Sequence, residues 1–191
     1  MATKTTKTVM ESFYGSVTPD ANAGNTGNTL LPVKSSDGAP AGAKYLMEFH
    51  DVDVRRSKAS NHPYINYRLA VVEPDCFENR GFFSMLYIPM PTDETDDAAR
   101  AKMTVSTARV MGQIDVILGD GSAIEALGEV TDQESLFEAL TDIASDLEGE
   151  RVVVEVRIQK ADAKQIAAGY ADDKNAVRQF YAVDSWVGED A

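Results

Sequence analysis

Apolar residues recur along this chain in two rhythms. Between Lys44 and Arg56 they alternate, with Tyr45, Met47 and Phe49 on one face, as in a half-buried strand. Val52 and Val54 continue on the opposite parity, so the phase changes near His50 and Asp51. A phase change of this kind predicts a β-bulge, which bends a strand as closing a small barrel requires. Polar residues from Arg55 to Pro63 predict a turn. A second strand follows from Tyr64 to Glu73, with Ile65, Tyr67, Leu69 and Val71 on one face and Tyr64, Asn66, Arg68 and Ala70 on the other. Pro74 and Asp75 break it. Asn79-Arg80-Gly81 leads into a third strand, Phe82 to Ile88, in which Phe82, Ser84, Leu86 and Ile88 oppose Phe83, Met85 and Tyr87. Pro89 and Pro91 end it.

The rhythm then lengthens. Met103, Thr107, Val110, Met111, Ile114, Ile117 and Leu118 form a helical stripe over Asp96 to Leu118, stopped by Gly119, Asp120 and Gly121. Leu136, Leu140, Ile143 and Leu147 mark a second helix over Asp132 to Leu147, with Gly149 as its stop. Thr131 and Glu134 have the spacing of a capping box in front of it. Alternation returns at Arg151 to Ile158, where Val152, Val154, Val156 and Ile158 oppose Glu155 and Arg157. Gln159 to Lys174 is a long connection, and Ala176 to Val187 is the last strand.

This order gives a fold that is mainly β with an α-helical insertion: a five-stranded OB-like barrel with two helices between strands 3 and 4. An α+β sandwich of the same five strands and two packed helices is the competing architecture. Residues 1–43 read as a flexible N-terminal arm, with Phe13, Tyr14, Leu30 and Leu31 as anchors. Residues 44–187 are the OB-like domain, of which 93–150 are the helical insertion, and 188–191 are a short acidic end.

Net charge is −13 over 191 residues, which taken alone argues against nucleic acid. Its distribution changes that. Residues 93–150 hold 15 of the 31 acids and 3 of the 18 bases, a net of −12 against −1 for the rest of the chain. The acidity belongs to one segment, so the bulk sign does not decide function. Cys76 is the only cysteine, so no internal disulfide can form, and the thiol fits a reducing cytoplasm. No apolar run approaches membrane-spanning length, and the first residues lack the apolar stretch of a secretory signal, so no membrane association is expected.

Several stretches carry a family likeness. They are Ala43-Lys44-Tyr45-Leu46-Met47-Glu48-Phe49, Ser57-Lys58, Arg68-Leu69-Ala70-Val71-Val72-Glu73, Asn79-Arg80-Gly81, Leu147-Glu148-Gly149-Glu150-Arg151-Val152-Val153-Val154 and Asn175-Ala176-Val177. In these pieces, spread over residues 43–187, the chain resembles small OB-fold single-stranded-DNA-binding proteins encoded by bacteriophages. The resemblance implies non-catalytic binding of single-stranded DNA in phage replication or recombination, in the host cytoplasm. Replication or recombination proteins are the further partners it implies. Oligomeric state is open, a homodimer being one option.

OB-folds usually hold nucleic acid on strands 2 and 3 and on the loops after strands 1 and 4. Here those places combine bases with aromatics. Arg55, Arg56 and Lys58 lie in the first loop, with His62 near its end. Tyr64 and Arg68 share a face of the second strand, and Phe83 and Tyr87 a face of the third. Lys160, Lys164, Tyr170, Lys174 and Arg178 lie in or beside the second loop, where Asp162, Asp172 and Asp173 offset them. Aromatic platforms flanked by cations bind unpaired bases with little sequence preference. The plain alternative is that strands favour Tyr and Phe in any case and that solvated loops carry bases. Trp186, the only tryptophan, reads better as a packing anchor than as a platform.

Enzyme chemistry finds little footing. His50 and His62 have no Cys or His at ligand spacing, so no zinc site is expected, and the single-strand-binding reading calls for no cofactor. Leu118-Gly119-Asp120-Gly121-Ser122 lacks the Lys of a phosphate loop, and the acids of Thr92 to Asp97 suit a helix N-terminus better than a calcium loop. The second reading of function is a protein-interaction module, such as a phage inhibitor or assembly factor, acting through acidic helices that carry Glu134, Glu138 and Asp142.

Overall fold

The structure, a computed structural model, describes residues 30–92, 95–161, 163–167 and 173–188. The proposed anchors Phe13 and Tyr14, Tyr170, and residues 189–191 of the acidic end lie outside the described residues. Five strands form one antiparallel sheet: β1 (Lys44–Arg56), β2 (Pro63–Glu73), β3 (Gly81–Leu86), β4 (Arg151–Gln159) and β5 (Lys174–Tyr181). Their hydrogen-bonded order is β3-β2-β1-β4-β5. Between β3 and β4 come α1 (Asp97–Leu118), α2 (Ser122–Gly128) and α3 (Gln133–Leu147), and a short α4 (Ala163–Ala167) lies between β4 and β5.

The period-two faces become the two sides of the sheet. Tyr45, Met47 and Phe49 from β1 are buried with Ile65, Tyr67, Leu69 and Val71 from β2 and with Val152, Val154 and Val156 from β4. Leu136, Leu140, Ile143 and Leu147 of α3 pack onto this inner face, and Val110, Ile114 and Ile117 of α1 complete the core. Burial raises the pKa of both core tyrosines. Tyr67 is pushed up to about 12, against the opposing effect of a hydrogen bond with Ser84, its cross-strand partner. Tyr45 donates its hydroxyl to Pro32 O at 2.6 Å. Beside it, Leu31 N–H donates to buried Asn175 Oδ1 at 2.7 Å, which ties the segment before β1 to β5.

The bulge in β1 falls where the phase change predicts it. Register shifts between His50 and Asp53, and Asp51 adopts φ 52°. Two neighbours stabilise the bend. Val52 N–H donates to Glu148 Oε2 at 2.7 Å, just past α3, and Phe49 N–H donates to Glu150 O at 2.9 Å. The first half of β1 therefore pairs with β4, and its second half follows β2 alone. Gly81 leaves no room for a side chain: a Cβ there would lie 2.0 Å from Leu69 O.

Several expectations change. The sheet does not close into the OB-like barrel. Its ladder ends at β3 and β5, whose edges come near each other without a hydrogen-bonded seam among the described residues. β3 stops at Leu86, and Pro89 and Pro91 just beyond have no N–H to extend it. Helices and strands take nearly equal shares, so the class is mixed α and β rather than mainly β. Three helices, not two, fill the insertion, because seven residues of α2 are too short for periodicity to reveal. The cap of α3 lies one residue later than expected: Asp132 accepts from the Ser135 and Glu134 amides, and the Ser135 hydroxyl returns to the Asp132 amide. Finally, β5 ends at Tyr181. Val183–Ser185 form a 3-10 turn, and Trp186 behind it is half-buried, its indole N–H donating to Glu73 Oε2.

Candidate nucleic-acid interface

Side chains of opposite parity from the core emerge on the outer face of β1, β2 and β3. Cross-strand register sorts them into rows. His50 lies opposite Arg68, and Arg68 opposite Phe83. Asp53 lies opposite Asn66, and Asn66 opposite Met85. Arg55 lies opposite Tyr64. Adjacent strands put such partners about 4.5–5.5 Å apart at Cβ, so each row is a contiguous surface. Phe83, Met85 and Tyr87 are 62%, 61% and 45% exposed. Nine large apolar side chains are exposed among the described residues, and these three share one short segment. The others are scattered over helices and the chain end, so this row is the concentrated one.

The cations around the row are held to different degrees. Arg68 donates to Asn79 O at 3.2 Å and stays partly exposed beside Phe83. Arg55 Nε lies 2.7 Å from Asp53 Oδ2, and Asp53 also accepts from Asn66 at 3.0 Å. Burial works to raise the Asp53 pKa, but those two hydrogen bonds outweigh it and hold the carboxyl below its ordinary range. The same contact raises the Arg55 pKa. The pair is exposed, so solvent screens it and a phosphate can compete for Arg55. Tyr87 leans on His62 at 4.6 Å between ring centroids. His62 is buried and donates Nε2–H to Ile88 O at 2.7 Å, which fixes the ring under Tyr87.

The turn at the end of the row closes through Ser57 N–H to His62 O and Asn61 N–H to Ser57 O, at 2.9 and 2.8 Å. Lys58 stands exposed on it, with no ion-pair partner among the described residues. Arg56 has the other parity and turns toward the helices. Its Nη2 meets Glu134 Oε2 at 2.7 Å, and its guanidinium stacks on Phe137 at 4.5 Å.

The structure thus brings Arg55, Tyr64, Arg68, Phe83 and Tyr87 onto one face with Lys58 at its end. Arg56 is next to them in sequence but points to α3. The remaining three sit at the opposite edge of the sheet. Arg178 on β5 pairs with Glu155 at 2.8 Å, a carboxylate that Tyr181 also uses. Lys160 is exposed just after β4, and Lys164 lies on α4, where its side chain is outside the described part. Met85, Asn66 and His50 belong to the face and were not among the expected site residues. Met85 shares the parity of Phe83 and Tyr87 and was legible in the alternation. Asn66 and His50 need the register across strands, which one strand's pattern does not carry. Among the described residues no group of three or more His, Cys, Asp and Glu is placed to hold a metal ion, and no helix is long and apolar enough to cross a membrane. No protein-family model matches the chain, and no curated protein matches it either.

Proposed function

We propose that this protein binds single-stranded DNA on the outer face of β2 and β3, without catalysis. The observation that carries the reading is the row Phe83, Met85 and Tyr87, exposed on one face and set against Arg68 and Asn66 across the strand pair. Flat exposed rings beside guanidinium groups suit the π-faces and phosphates of an unpaired strand. Duplex offers no such rings, since its bases are stacked inside. An OB-type reading draws further support from the strand order. A β1 bent by a bulge, paired with both β2 and β4, and a helical segment between β3 and β4 match a partly open OB barrel. In such barrels strands 2 and 3 carry the ligand.

Electrostatics also favours that face. Most of the acidic residues of 95–150 lie on α1 to α3, and α3 covers the inner side of the sheet. Phosphate is repelled there and is left the outer side. Protection of unpaired strands in phage replication or recombination is the role this binding would serve.

The test is fluorescence anisotropy of labelled oligo-dT and of a matched duplex, at low and at physiological salt. Micromolar or tighter binding to the single strand, weak binding to duplex and a clear salt slope are expected. No binding to the single strand at low salt would overturn the reading.

A further inference from the structure

A groove of about 470 Å³ opens between α1, the segment after β3 and the stretch from Leu127 to Leu136. One wall is the amino-terminal half of α1, where Met103, Thr107 and Met111 follow one another at every fourth residue. The other walls are the segment after β3, with Met90 between Pro89 and Pro91, and the stretch from Leu127 to Leu136 that joins α2 to α3. α1 carries two stripes for this reason. Its later turns bury Val110, Ile114 and Ile117 in the core, while its earlier turns stand off the sheet and leave Met103 and Thr107 only half-covered.

Three features specify an occupant. Three methionines line the groove, and unbranched thioether chains adapt to apolar partners of varied shape. Pro89 and Pro91 lack N–H groups, so that wall is poor in backbone donors and does not favour an added β-strand. Exposed acids adjoin the lining residues along the chain. Asp97 lies one turn before Arg100 on the same side of α1, and exposed Glu129 and Asp132 flank the lining residues Val130 and Thr131. Arg100 is the only base in the lining among the described residues. We infer that this groove docks an amphipathic helix of another protein, with an apolar stripe bordered by lysine or arginine. Apolar side chains at positions i, i+3, i+4 and i+7 would fill the methionine floor, and the basic border would meet Asp97, Glu129 and Asp132. Helix and acidic rim together exclude nucleic acid as the ligand here. None of Phe83, Met85 and Tyr87 lines the groove, and the inference does not depend on the reading proposed for the sheet face.

The probe is a fluorescein-labelled 14-residue peptide of Leu and Lys at helical spacing, titrated with the full chain at physiological salt. A scrambled peptide of the same composition and a Leu and Glu counterpart serve as controls. The helical Leu and Lys peptide should bind at least tenfold more tightly than either control. Ala108→Arg is exposed on α1 and places bulk and positive charge in the groove, so it should weaken the peptide at least tenfold without unfolding the helix. Asp97→Asn with Glu129→Gln should weaken it severalfold and lessen its salt dependence, while Phe83→Ala should leave it unchanged. Equal binding of scrambled and helical peptides, or an Ala108→Arg variant that binds as the parent does, would overturn the proposal. So would a dimer in sedimentation that Ala108→Arg dissociates, which would assign the groove to a second copy of the chain.

Discussion

Phe83 and Ser84 are neighbours with opposite fates. Ser84 faces Tyr67 across the strand pair on the core side, while Phe83 turns a large apolar ring outward beside Arg68. Burying a ring of this size stabilises a fold by roughly 1.5–3 kcal/mol, and Phe83 forgoes most of that by standing in water. Its exposure lets a single substitution separate binding from packing. Phe83→Ala should leave the melting temperature nearly unchanged and weaken oligo-dT by roughly 5- to 150-fold, since a stacked base is worth about 1–3 kcal/mol. Anisotropy and thermal melting on the same preparation check both halves. A large loss of stability with unchanged binding would return Phe83 to packing. The candidate residues on this strand were legible because alternation assigns parity to every side chain. Which parity faced water was not, because both faces of β3 carry aromatics.

At the scale of elements, the acidic helices are fastened by local chemistry that sequence reveals to within a residue. Asp132 and Ser135 exchange hydrogen bonds at the start of α3. The amide and hydroxyl of Ser135, with the Glu134 amide, hold the Asp132 carboxyl below its ordinary range. A depressed carboxylate contributes stability above its unfolded pKa and loses it as pH falls through the folded value. Asp132→Ala should lower Tm by about 2–4 °C near neutral pH, the scale of a helix cap in a chain of this length. The gap between variant and parent should close in acid, once the carboxyl is protonated in both states. A gap that persists unchanged at low pH would show that the cap acts through geometry alone. The misplacement of the cap to Thr131 and Glu134 has a simple source: Thr131, Asp132, Glu134 and Ser135 offer two overlapping boxes, and the backbone decides between them.

For the whole molecule, charge is a matter of placement. The acids of α1 to α3 and the outer-face cations belong to different sides of one sheet. Changing Arg55, Arg56 and Lys58 together to Ala should lower the slope of log affinity against log salt by about 0.7 for each phosphate no longer neutralised. Because Arg56 is engaged by Glu134 and Phe137, the drop should come mainly from Arg55 and Lys58, and restoring Arg56 alone should recover little of it. An unchanged slope would remove the loop from the interface. By itself the sequence determined the five strands, the bulge in β1, the long helices and the inner faces of β1, β2 and β4, because period, proline, glycine and caps act within a few residues. Only the tertiary structure decided that the sheet stays open, that Arg56 and Arg178 are drawn into ion pairs, and that the first turns of α1 border a methionine groove. Each of these depends on residues far apart in the chain, Arg56 with Glu134, Glu155 with Arg178, Met90 with Met103 and Leu136. Local pattern fixes which way a side chain points, and only the packed chain fixes what it meets.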